Sequence, residues 1–254
     1  MIRFAKIGLA GVLLAMASAA SAWAMDATPW VTTPQTEVRL IAAEDGAGAD
    51  GVVQLGLHFK LKDGWKVYWR RPGDAGFPPR LDWSESENFK DAEFFWPAPM
   101  RFEVLGFQTM GYIKEVVFPI AVRLGDASRP LDARVRIDYL TCDDICIPYS
   151  AQLKLDVPAA GGTTTKHAAL IARFAARVPG PGSADGLAIE RIETAGPFTP
   201  IDEVARRGFV RVVATSTIPF VRPDVFIEGP EHFCSISKPL ASVIEYRRLN
   251  IFFR

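Results

Sequence analysis

The feature that most constrains this chain is a period of two. Val53, Leu55, Leu57 and Phe59 alternate with Gln54, Gly56, His58 and Lys60, and an extended strand is the conformation that puts residues i and i+2 on one face. Trp65 to Trp69 repeats the alternation, and further strands are expected over residues 80–83, 93–96, 115–122, 133–140 and 151–157. Turn chemistry separates them, at Asp63-Gly64, Pro72-Gly73-Asp74, Pro78-Pro79 and Gly125-Asp126.

Short strands without interleaved helices predict an all-β fold, an immunoglobulin-like antiparallel β-sandwich. After Val157 the pattern changes. Residues 158–165 read as a linker, residues 167–177 carry apolar side chains at helical spacing, and Pro179-Gly180-Pro181-Gly182 stops that helix. Strand-like runs resume at residues 188–192, 209–214 and 225–227. Residues 187–254 are too few for a second sandwich of about 100 residues, so an incomplete second β unit is expected. The expected organisation is a leader over residues 1–24, a sandwich over 25–158, a linker with a short helix over 159–186 and the partial β unit over 187–254.

The N-terminus predicts export. Arg3 and Lys6 precede an apolar run, and small residues lead to Ala22-Trp23-Ala24, the layout of a cleavable signal peptide. The run is shorter than the roughly 20 residues a membrane helix needs, so the expected location is the periplasm. Basic and acidic residues balance at 29 each, which gives no electrostatic case for a nucleic-acid partner. No Ser-His-Asp arrangement, glycine-rich phosphate loop or HExxH spacing occurs, and no cofactor is expected.

In an oxidising compartment the candidate chemistry lies in Cys142 and Cys146. Four positions apart on a continuing strand, their Cα atoms would lie about 13 Å from one another at roughly 3.3 Å per residue. A disulfide needs about 4.4–6.8 Å, so a bonded pair requires the chain to turn at residues 143–145. Closing so short a loop contributes only about 2 kcal/mol by chain entropy, against about 4.7 for a hundred-residue loop. The pair makes a poor staple and a sensible exchangeable disulfide. Asp143 and Asp144 between the sulfurs disfavour thiolate formation. A local structural disulfide and a metal site stay open beside exchange. A closed zinc site wants four ligands, and besides the thiols and acids the chain offers His58, His167 and His232; copper(I) accepts two thiolates. Cys234 is read as an incidental thiol, and Trp65, Tyr68, Trp69, Trp83 and Trp96 as core.

Four motifs in order extend this reading: Gly64-Trp-Lys-Val-Tyr-Trp69, Pro72-Gly-Asp-Ala-Gly-Phe-Pro-Pro79, Phe95-Trp-Pro97 and Tyr139-Leu-Thr-Cys-Asp-Asp-Ile-Cys-Ile-Pro148. Together they resemble the periplasmic amino-terminal domain of the DsbD/ScsB thiol:disulfide interchange proteins, over residues 38–158. The resemblance implies an immunoglobulin-like module that takes electrons from a membrane-embedded electron-relay domain and passes them to periplasmic thioredoxin-fold proteins. It implies Cys146 as the partner-facing cysteine and Cys142 as its resolving mate. It also implies a cap loop at residues 100–107, with Phe102 or Phe107 as the shield, ordinary packing being the alternative for both rings. By its position in that loop, Glu103 is a candidate to act on the thiols by hydrogen bonding or proton transfer. The three-residue spacing between the cysteines is shorter than in DsbD and closer to ScsB. The relay domain is absent from this chain, and the abrupt Ile-Phe-Phe-Arg ending suggests a reading frame that stops early. The alternative is a copper- or protein-binding sandwich linked to copper tolerance, with the pair as metal ligands or a local brace.

Overall fold

The computed structural model describes residues 25–104, 106–180, 182, 186–195, 209–220, 224–226, 241–245 and 248–253. Residues 1–24, where a leader is expected, His232 and Cys234 lie outside these residues. The alternating segments form two antiparallel sheets. One has the order β1 (Val31–Thr32), β2 (Thr36–Ala42), β3 (Val52–Leu61), β9 (Glu115–Leu124), β6 (Phe89–Phe94). The other runs β11 (Cys146–Val157), β10 (Leu131–Cys142), β4 (Lys66–Gly73), β8 (Phe107–Ile113), β7 (Met100–Val104), with β5 (Arg80–Asp82) also on β10. The expected all-β sandwich is what the chain adopts.

The core follows from the alternation. Leu55, Leu57 and Phe59 on β3 oppose Ile120, Phe118 and Val116 on β9, and all six are buried. Val135, Ile137 and Tyr139 close the layer from β10, and the Tyr139 hydroxyl meets Thr36 Oγ1 at 2.6 Å. The outer face of the first sheet is covered too, by helix α1 (Ala168–Ala175) through Ile171 and Phe174. Gly56 makes room for it: a Cβ there would lie 2.7 Å from Val117 Cγ1 and 3.0 Å from Ile171 Cγ1. Residues 158–165 are tied down rather than loose, because Asp45 Oδ1 accepts from the backbone N–H groups of Gly162 and Thr163. Those bonds hold the Asp45 carboxyl below its ordinary value.

Three expectations need correction. The cap stretch is a β-hairpin, β7 on β8, paired from Met100↔Gly111 to Val104↔Phe107. Residues 100–104 alternate apolar and polar side chains as a strand does, a pattern set aside in favour of the loop that the resemblance implied. Pro72-Gly73 belongs to the end of β4, where the register shifts between Tyr68 and Gly73, so a bulge takes the place of a turn. Residues 224–226 form no strand; instead Phe226 packs edge-on to Trp69 and Asp224 pairs with Arg101. Beyond α1, a four-stranded antiparallel sheet has the order β12 (Leu187–Ala195), β13 (Phe209–Ser216), β15 (Arg248–Phe253), β14 (Ala241–Glu245). The sequence reading placed no strand in the last two.

His58 makes stability pH-dependent. It is 2% exposed, and its Nε2 lies 3.0 Å from Glu115 Oε1. Burial, opposed by the Glu115 hydrogen bond, pushes its pKa down from 6.5 to about 4. The imidazole is therefore neutral in the fold, and the Glu115 contact is a hydrogen bond rather than an ion pair. Unfolded chain binds this proton more readily, so stability is full above pH 6.5 and falls as pH drops toward 4, by up to about 1.4 kcal/mol per pH unit. Urea unfolding at pH 7, 5.5 and 4.5 checks this: His58→Asn should flatten the slope.

Candidate functional site

Strands β10 and β11, each 12 residues long, pair from end to end, and Cys142↔Cys146 is the last pair before the loop. The chain turns at residues 143–145, as the spacing required, with the Asp143 N–H donating to the Ile145 carbonyl at 3.0 Å. The Cα atoms come within 4.1 Å and the sulfurs are bonded. Twelve paired positions hold the hairpin without help from sulfur, so the bond adds little as a brace.

The two sulfurs differ in environment. Cys142 is completely buried in a small cluster with Tyr68 and Val104, and Phe102 and Leu140 pack against it. Cys146 is exposed at the start of β11, beside Ile145, whose side chain is 61% exposed. Strand alternation explains the cluster: Phe102 and Val104 share one face of β7, and that face lies over Cys142. Of the two candidate aromatics, Phe102 packs against the Cys142 cluster, whereas Phe107 is 50% exposed at the hairpin turn. Glu103 points to the opposite face, exposed, and accepts from Gln108 Nε2 at 3.3 Å. The structure does not bring Glu103 to the sulfurs.

Two neighbours escape the sequence reading. Tyr68, read as plain core, is fully buried, and its hydroxyl lies 4.0 Å from Cys146 Sγ. Burial raises its pKa, so it stays a neutral hydroxyl. Gly76, at φ +99°, lies directly against the Tyr68 ring, where a Cβ would overlap it. Lys66 is the register partner of Cys142 across β4 and β10. Its ammonium donates to the Gly64 carbonyl at 2.7 Å and to Asp143 Oδ1 at 3.3 Å. Gly64, at φ +87°, is closely approached by that Asp143 carboxylate, leaving no room for a side chain. The Gly64-Trp-Lys-Val-Tyr motif and the Gly76 motif are therefore site architecture. Only the period of Lys66 and Tyr68 was legible; which strand faces them depends on cross-strand register.

The far face of the cap hairpin is also held. Arg101 forks onto Asp224, with Nε to Oδ2 at 3.1 Å and Nη2 to Oδ1 at 3.3 Å, and lies over the Phe226 ring. Among the described residues no group of three or more His, Cys, Asp or Glu side chains is placed to hold a metal ion. Nor is any described helix long and apolar enough to cross a membrane.

Comparison with known proteins agrees with this geometry. Residues 37–158 match the sequence profile of the family described as thiol:disulfide interchange protein DsbD, N-terminal. Among solved structures, the chain is similar to the N-terminal periplasmic domain of ScsB from Proteus mirabilis. The two are 22% identical, with 90% of this chain and 84% of that one covered and a TM-score of 0.67. The DsbD N-terminal domain of Neisseria meningitidis in the reduced form aligns at 15% identity over 49% of this chain and 86% of that one. Its TM-score of 0.28 carries no argument. No curated protein matches the chain. The sandwich of this chain, residues 37–158, belongs to the DsbD N-terminal domain family.

Proposed function

We propose that this chain is a periplasmic thiol–disulfide exchange module that passes reducing equivalents through Cys142 and Cys146 to thioredoxin-fold proteins. The observation that carries the reading is the asymmetry of the pair: one sulfur is buried and one exposed on a short loop. A partner disulfide can reach Cys146, while Cys142 waits behind it. The exposed apolar side chains Met100, Phe107 and Ile145 all lie on the cap hairpin or the cysteine loop. Exposed apolar groups near the pair suit a transient protein contact, although Met25, Leu187, Ile189, Ile192 and Ile218 are exposed elsewhere.

The step balances within the two proteins. In the reduced module the Cys146 thiolate attacks a sulfur of the partner disulfide, forming a mixed disulfide and releasing one partner thiolate. Cys142, once deprotonated, attacks Cys146 Sγ and expels the second partner thiolate. The partner gains two electrons and two protons, and Cys142–Cys146 becomes the disulfide seen here. A dithiol of a membrane-embedded electron-relay domain would reduce it again by the reverse chemistry.

The direct test incubates the reduced chain with an oxidised thioredoxin-fold protein and follows both redox states by alkylation and mass shift. Transfer of two electrons is expected. Absence of transfer at every redox poise between the two couples overturns the reading.

Phe102 supplies a second expectation. With the ring packed beside Cys142 and only Cys146 open, a small thiol should reduce the disulfide slowly. Phe102→Ala should raise the rate of reduction by dithiothreitol several-fold while far-UV circular dichroism stays unchanged. An equal rate would assign Phe102 to packing alone.

A further inference from the structure

Among the described residues, Lys66 is a cation that meets the cysteine loop, through Asp143, and the exchange chemistry above makes no use of it. It lies on β4 with Tyr68, on the face that carries Cys142 in register. Its side chain is only 14% exposed. The ammonium makes three contacts at once: the Gly64 carbonyl, the Asp143 carboxylate, and the Phe102 ring with a centroid 5.9 Å away. One charge thus touches the turn before β4, the loop between the cysteines and the cap aromatic.

We propose that Lys66 is a positioning residue for the exchange: it neutralises Asp143 so that a cysteine thiolate can form beside it, and it ties the cap to the cysteine loop. This rests on the exchange reading of the same site.

The chemistry requires something of the kind. Forming the nucleophile means the Cys146 thiol loses a proton to solvent and leaves a negative sulfur. Asp143 and Asp144 stand in the same loop, and two nearby carboxylates oppose a third negative charge. Asp144 is exposed to water, which screens it. Asp143 is less exposed, and Lys66 meets its carboxylate directly. Among the described residues, Lys62, Asp63, Arg101 and Lys114 line one cleft with Lys66, Met100 and Phe102. Of these, Arg101 is committed to Asp224. Glu103 faces away, and Tyr68 stays neutral. Lys66, whose ammonium meets the Asp143 carboxylate at 3.3 Å, is placed to decide whether Asp143 acts on the sulfurs as a bare charge.

A purely structural bridge and an electrostatic one predict different signs. If the Lys66–Asp143 pair only braces the loop, removing either partner has the same consequence. If the pair sets the charge near sulfur, Lys66→Met and Asp143→Asn push in opposite directions. The experiment titrates the reduced full chain by the rate of iodoacetamide alkylation from pH 5 to 10. It is run on wild type, Lys66→Met, Lys66→Arg and Asp143→Asn, with alkylated cysteines identified by mass.

Lys66→Met is expected to raise the midpoint of thiolate formation by on the order of one pH unit, so that reaction at neutral pH slows by about tenfold and recovers at high pH. Asp143→Asn is expected to lower the midpoint, and Lys66→Arg to restore the wild-type curve. Unchanged midpoints, or shifts of the same sign in Lys66→Met and Asp143→Asn, overturn the proposal. Should Lys66→Met fail to fold, Asp143→Asn against wild type still decides it by its sign. The alkylation needs no partner protein. A split titration together with no transfer to any thioredoxin-fold protein would therefore leave this proposal standing and remove the exchange reading.

Discussion

Cys142→Ser should accumulate a covalent adduct with an oxidised thioredoxin-fold protein, and Cys146→Ser should form none. The expectation comes from burial rather than from order in the chain. In Cys142→Ser the remaining thiol is the exposed one, at the open end of β11 beside Ile145. It can attack a partner disulfide, but no second sulfur is present to expel the partner, so the mixed disulfide persists. In Cys146→Ser the remaining sulfur is completely buried beneath Tyr68, Val104 and Phe102. A partner sulfur must approach the attacked bond in line, and the packed cap denies that path. Non-reducing gels followed by intact mass read both variants in one experiment. Adducts of equal yield would mean that the cap opens freely and that burial does not select the attacking cysteine.

Gly76→Val should be the most damaging single change at the site outside the cysteines. The backbone there has φ +99°, where a side chain is strained, and the added Cβ would overlap the Tyr68 ring. Positive φ costs about 1–2 kcal/mol for an L-residue, and overpacking a close-packed spot typically adds about 1–3. A loss of roughly 3 kcal/mol corresponds to a fall in Tm on the order of 10 °C for a chain of this size. Whatever part of the strain is relieved by moving Tyr68 withdraws its hydroxyl from Cys146. Thermal unfolding and the exchange rate should therefore fall together, with Gly76→Ala smaller in both. A Tm unchanged within two degrees would show that the Pro72–Pro79 segment can shift away from the ring.

The resemblance implied a loop at residues 100–107, where the chain instead forms β7 and the start of β8. Met100, Phe102 and Val104 alternate with Arg101 and Glu103, the period of two that marks a strand, so β7 was legible in residues 100–104 and was passed over because the resemblance supplied a loop. The strands over residues 241–245 and 248–253 were missed because Ser235 to Arg254 offers no turn or cap to bound them.

The sequence alone determined that the chain is a β-sandwich, since the period of two in β3, β4 and β10 admits no helix. It also determined that Cys142 and Cys146 could bond only by turning the chain back between them, because strand rise and disulfide reach are fixed lengths. Tertiary structure decided the rest of the site. Which sulfur is covered, that Phe102 rather than Phe107 lies beside it, and that Lys66 and Tyr68 flank it all depend on how β4, β7 and β10 register across one sheet. Register is a property of pairing between segments far apart in the chain, and nothing within a single strand encodes its neighbour.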